Sequence, residues 1–165
     1  MSGAITTHPS TTNLLQPTKY VVAFPEISET MYFCQKANIP GVSLGTALQQ
    51  TPNLDLYHSG TKIEYNTFDM TFLVNEDLSA WTTIYNWMKD LSSVDTTYMQ
   101  RKASQKQAIL TVMSNLNNPK IRVKFNNIFP LSLTDLEFDT TLSAEEHITA
   151  TVSFRYDWFD LEKIS

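Results

Sequence analysis

Apolar residues recur along this chain with two different periods, and the change of period marks its elements. From 61 to 74 the period is two: Phe68, Met70, Phe72 and Val74 share one parity, and Thr67, Asp69 and Thr71 share the other. Successive side chains of a strand point to opposite faces, so this segment reads as a strand buried on one side. The pattern returns more cleanly near the end. Ile148, Ala150, Val152, Phe154, Tyr156 and Trp158 alternate with Thr149, Thr151, Ser153, Arg155 and Asp157. A slip of one residue would exchange those faces, so the register is expected to be firmly set. Between 78 and 91 the steps lengthen to three and four, and Leu78, Trp81, Ile84, Tyr85, Met88 and Leu91 trace one face of a helix. Asn75, Glu76 and Asp77 precede it, where such side chains cap free amides and favour the positive helix end.

Shorter runs fill in the rest. Residues 20–24, stopped by Pro25, and 31–37, ended by Ile39-Pro40-Gly41, are expected strands. Residues 42–56 alternate less well across Gln49, Gln50 and Pro52, which predicts an edge strand or a long loop, since proline cannot donate in a central ladder. His58-Ser59-Gly60 carries turn chemistry. The polar stretch 92–107 has room for a short helical turn. Residues 108–114 read as a strand, 115–119 as a hairpin loop and 131–139 as a further strand. In 120–125 the pattern points Ile121, Val123 and Phe125 inward and Lys120, Arg122 and Lys124 outward. The sum is a mainly β fold, an antiparallel sandwich or barrel with one helix against it.

Residues 1–18 differ from all of this. They hold seven Ser/Thr with Pro9 and Pro17 and few apolar side chains. Such a stretch buries too little to offset its ordering entropy, so 1–18 is expected to be a flexible arm and 19–165 a single domain.

Composition narrows the class. Of 165 residues, 42% are apolar and 12% aromatic, which supplies a core. The 21 threonines, set against a single cysteine, favour strands. The four glycines form neither a dinucleotide-binding nor a P-loop fingerprint. A net charge of −5 argues against a general binder of nucleic acid or anionic membrane. No apolar run nears the roughly 18 residues of a membrane span, and the first residues lack a signal-peptide pattern. No membrane anchor is expected, and maturation in a cytoplasm is.

Candidate chemistry is sparse. His8, His58 and His147 lie in separate segments without ligand spacing, and no metal site is expected. Cys34 reads as a small buried hydrophobe. Asp135, Glu137 and Asp139 would share one face of a regular strand and could serve a small β-sandwich hydrolase or carbohydrate binder. Arg101, Lys102 and Lys106, with the row Lys120, Arg122 and Lys124, are the basic clusters, beside which Tyr98 or Phe125 could stack on a base. On an acidic chain a basic strip fits an acidic protein partner better, including another copy. No catalytic residue and no cofactor is assigned.

Three groups of residues then fall into a familiar order. Phe33-Cys34-Gln35-Lys36-Ala37 leads into Ile39-Pro40-Gly41. Phe68-Asp69-Met70-Thr71-Phe72-Leu73-Val74 passes through Asn75-Glu76-Asp77 to a helix holding Trp87. Ile128-Phe129-Pro130-Leu131 precedes Leu136-Glu137-Phe138-Asp139, a polar spacer and the strand 148–158. Across 19–159 this order resembles the tail tube proteins of contractile-tail bacteriophages, from which the Ser/Thr-rich start departs.

The resemblance implies two packed antiparallel sheets with a flanking helix. It implies a homo-oligomer of hexameric rings, stacked into a tube inside a sheath, a conduit for genome DNA without specific binding. Sheath and baseplate proteins would be partners, the virion tail the location and the host cytoplasm the place of assembly. Within the same fold, a baseplate tube-initiating or a tube-terminating ring is the alternative. Thr67, Asp69, Thr71, Thr149, Thr151 and Ser153 are the candidates to face the lumen. Gln49, Gln50, Asn53, Asp55 and Tyr57, in a long hairpin or loop reaching an adjacent ring, are interface candidates, as are Lys120, Arg122 and Lys124. An acidic or neutral lumen lets DNA slide, whereas rows of Lys or Arg hold phosphates.

Overall fold

The computed structural model describes residues 14–27, 34–93, 104–141 and 147–164. In chain order its elements are β1 (Tyr20–Ala23), β2 (Cys34–Ala37), β3 (Val42–Gln50), β4 (Asp55–Tyr65), β5 (Phe68–Leu73), α1 (Ser79–Ser92), β6 (Lys106–Met113), β7 (Pro119–Leu133), β8 (Thr149–Arg155) and β9 (Trp158–Lys163). All pairings are antiparallel.

The spine is β7. Its first half pairs with β6 on one side and β9 on the other, and its second half pairs with β8. β1 extends the first sheet beyond β6, while β5 and β2 extend the second beyond β8. One register runs from Ile121↔Lys163 through Asn126↔Trp158 to Pro130↔Phe154, so β8 and β9 act as one long partner of β7 with a break at 156–157. Asn127, at φ 56, bends β7 there, and its Nδ2 donates to Asp157 Oδ2 at 2.6 Å. The bend folds the two sheets over one core. At their far edges the Tyr20 hydroxyl donates to the Gln35 carbonyl at 2.6 Å and links the β1 and β2 ends.

Alternation fills that core. Phe68, Met70 and Phe72 of β5 and Ala150, Val152 and Phe154 of β8 are all buried, with Val123, Phe125 and Ile128 of β7 facing them. Phe68 stacks on Phe125 at 4.6 Å between centroids, and Phe125 meets Tyr156 edge-on at 5.1 Å. Such pairs add about 0.5–1.5 kcal/mol each beyond area burial. The helix buries Ala80, Ile84 and Trp87, with Trp81, Met88 and Leu91 partly covered, so its inward stripe is turned slightly from the expected one and leaves Tyr85 exposed. Asn75 caps it: Oδ1 accepts from the Ser79 amide at 3.0 Å and Nδ2 donates to Ser79 Oγ at 2.8 Å.

Four expectations are corrected. Residues 42–65 form a two-stranded ribbon, β3 with β4, and His58, Ser59 and Gly60 lie inside β4 rather than in a turn. The turn is 51–54, where the Thr51 hydroxyl donates to the Leu54 carbonyl and accepts from its amide at 3.3 Å. The stretches 120–125 and 131–133 belong to one strand, and 134–139 has no strand partner, so Asp135, Glu137 and Asp139 stand exposed on coil. Phe125 is wholly buried and cannot stack on a base. Cys34 is half-covered rather than buried, and burial pushes its thiol pKa up. The expected strand at 31–33, the helical turn within 94–103, His8, Tyr98, Arg101 and Lys102 lie outside the described residues.

Candidate assembly surfaces

Two surfaces stand out from the packed body. The first is the outer face of the β2–β5–β8–β7 sheet. Pairing of β5 with β8 sets Asp69 opposite Ser153 and Thr71 opposite Thr151, with Thr149 opposite Leu73. Ser153 Oγ donates to Asp69 Oδ1 at 2.6 Å, and the Thr71 and Thr151 hydroxyls lie 3.0 Å apart. The Asp69 amide donates to Asn38 Oδ1 at 2.7 Å, and Asn38 Nδ2 reaches the Thr67 carbonyl at 3.4 Å. The six residues expected to face a lumen are thus gathered onto one polar sheet face. Lys36 in β2, Ser132 in β7 and Arg155 in β8 extend it.

The second surface is the ribbon. Every residue of β3 is exposed, and nearly every one of β4. Register places Val42 opposite Tyr65, Leu44 opposite Ile63 and Leu48 opposite Tyr57. Strand alternation puts these on one face, and Ser43, Glu64, Lys62, His58 and Gln49 on the other. Lys62 pairs with Glu64 at 3.1 Å and His58 Nε2 lies 3.0 Å from Gln49 Oε1 on that polar side. On the opposite face Val42, Leu44, Leu48 and Ile63 are each about half-exposed, and Tyr57 is 72% exposed. Gln49, Gln50, Asn53, Asp55 and Tyr57 do sit in the outer part of this ribbon. The apolar stripe was missed because 42–56 was not taken as a regular strand; period-two spacing through Val42, Leu44 and Leu48 was the signal.

Midway, Gly60 meets Gly45 across a bulge. A Cβ on Gly60 would fall 2.5 Å from the Gly45 carbonyl oxygen, so this crossing admits no side chain without backbone movement. At the ribbon base, the Asn66 amide donates to the Gly41 carbonyl at 3.0 Å. Tyr65 packs edge-on against Phe159 at 5.4 Å and ties the ribbon to the core. Beside it the Tyr156 hydroxyl donates to the Asn66 carbonyl at 2.8 Å, and burial pushes its pKa up to about 12, against a smaller opposing pull from Arg155.

The basic row is divided. Glu162 of β9 lies 2.8 Å from Lys124 and 3.5 Å from Arg122, and Lys124 above all holds its carboxyl below the usual range; Lys120 is exposed. Lys106 pairs with Glu26 at 3.3 Å and lies 5.4 Å over the Trp87 ring. Among the described residues no three His, Cys, Asp or Glu side chains come together as metal ligands.

A closed apolar core carrying one hydroxylated sheet face and one projecting amphipathic ribbon defines a building block made to pair with neighbours. The chain belongs to the phage tail tube protein family, whose model matches residues 14–162. It is a structural component of contractile tails, not an enzyme. It is 24% identical over 159 residues to the tail tube terminator protein of Enterobacteria phage T4, covering 92% of this chain and 90% of that one. The fold is shared with the tube-terminating cap of the anti-feeding prophage, at TM-score 0.72 and 14% identity over 98% of this chain and 100% of that one. A sheath/tube terminator of an extracellular contractile injection system follows at TM-score 0.66 and 12% identity, over 90% and 96%.

Proposed function

We propose that this protein forms the ring that ends the inner tube of a contractile phage tail, rather than the repeating rings of the tube. The observation that carries this is the match along nearly the whole chain to the phage T4 tail tube terminator. In this reading six copies close into a ring through their sheet edges. The hydroxylated face with Thr67, Asp69, Thr71, Thr149, Thr151 and Ser153 lines the passage for genome DNA. Closing the ring removes exposed strand edges, which otherwise invite aggregation. The ribbon, with Gln49, Gln50, Asn53, Asp55 and Tyr57 toward its tip, lays its apolar stripe on a neighbouring subunit. Lys120, with Arg122 and Lys124, meets an adjoining subunit or the sheath. Residues 1–18 serve as an arm and 19–165 as the ring-forming domain. Assembly takes place in the host cytoplasm, and the virion tail is the destination.

Electron microscopy of the purified protein over a concentration series, with mass from light scattering, tests this. A terminator gives single rings that seat on one end of preformed tubes and stop their growth. Hollow rods of uniform width from this protein alone would overturn the reading in favour of the main tube.

A further inference from the structure

The hydroxylated sheet face runs against the acidic balance of the chain. Lys36 stands opposite Thr71, and Arg155 lies beyond Ser153 at the end of β8. Both are exposed, and neither has an ion pair among the described residues, whereas Lys62, Lys106, Arg122 and Lys124 each have a carboxylate within 3.5 Å. The carboxylate on the strands of this face, Asp69, is occupied by the Ser153 hydroxyl. Asp157, past the end of β8, is occupied by Asn127 Nδ2. Two free cations therefore stand in a field of Thr and Ser hydroxyls. Strand spacing and rise place them about 16 Å apart on the diagonal. A duplex major groove is about 12 Å wide, so side chains this long reach phosphates of one duplex.

We propose that Lys36 and Arg155 bind the phosphates of duplex DNA on this face, so that the ring retains the duplex instead of letting it slide freely. This rests on the reading that the face lines the DNA passage. Each copy in a closed ring repeats the pair, and neighbouring hydroxyls add donors to phosphate oxygens. The interaction reads charge and not sequence. Two phosphate contacts per engaged subunit steepen the salt dependence by about 1.8 in log–log slope, so affinity falls about tenfold per engaged subunit between about 50 and 200 mM salt.

The test uses the full-length protein and a labelled random-sequence duplex of about 30 base pairs, titrated across that salt range. The expected result is salt-steep binding that K36E/R155E weakens at least tenfold and flattens in slope, with K36Q/R155Q between. Absence of wild-type binding at low salt, or equal binding by the variants with their melting curves unchanged, overturns the proposal. A duplex blocked at both ends by streptavidin, offered to preformed rings, separates this from the lumen reading. Loss of binding upon blocking places the pair inside the ring. Undiminished binding that still depends on Lys36 and Arg155 keeps the phosphate contact and overturns the lumen assignment.

Discussion

The β5–β8–β7 body and the β3–β4 ribbon use the same alternation to opposite ends. In the body, Phe68, Phe72, Val152 and Phe154 turn one parity into a sealed interior. In the ribbon, Val42, Leu44, Leu48, Tyr57 and Ile63 turn one parity outward, with nothing of their own chain above them. A lone two-stranded ribbon is marginal in water, and this one is secured only at its base by Tyr65 and Asn66. The body is finished by folding; the ribbon is completed by association.

The sharpest break of this comparison is Phe125→Ala. Removing a ring stacked on Phe68 and packed against Tyr156 is expected to cost about 3–5 kcal/mol in denaturant unfolding, and assembly is lost with the fold. Leu48→Asp with Tyr57→Asp attacks only the other side. Unfolding of the body is expected to move by less than about 0.5 kcal/mol, while light scattering shows assembly lost. Assembly that survives would show the stripe is not an interface. Gly60→Val tests the crossing. Its side chain collides with the Gly45 carbonyl, so hydrogen exchange should rise across 42–65, with body protection kept and assembly weakened.

Smaller effects sharpen the contrast from the body side. Asn75→Ala removes the cap of α1 and should cost about 1 kcal/mol in thermal or denaturant unfolding, with the ribbon unaffected. Acid should give the mildest effect. The lowered pKa of Glu162 means that its pairing with Lys124 and Arg122 adds stability above the unfolded value of 4.5, which is lost as pH falls through the folded one. Glu162→Gln should flatten that part of a melting-temperature profile slightly, since the pair is exposed.

How legible these regions were from sequence follows the same division. β5, β8 and α1 could be read because their partners lie on a single core, and one-sided burial writes itself into the period. Asn75 was legible as a cap from its place before the first helical turn. The ribbon was obscured because both its faces meet solvent, and Gln49, Gln50 and Pro52 blurred the alternation. Gly60 suggested a turn, yet it serves a bulge, a distinction set by Gly45 across the ladder. Asp135, Glu137 and Asp139 alternate as a strand would, but no neighbour supplies hydrogen bonds to 134–139. Arg122 and Lys124 looked like a free basic strip until β9 brought Glu162 beside them. Thr71 with Thr151, and Asp69 with Ser153, are pairings between distant segments that no local pattern specifies.

The pairing scheme also has a kinetic consequence. The ribbon joins neighbours in sequence, whereas Tyr20 must find Val112 and β7 must wait for β9. Short loops close in well under a microsecond and hairpins form in microseconds, while topologies rich in distant contacts need milliseconds to seconds. The segment that depends on another molecule is therefore the first able to form, and the body that carries it is the last. During that interval the apolar stripe is presented by a chain not yet able to close a ring, which favours slow synthesis and dilute nascent chains for clean assembly.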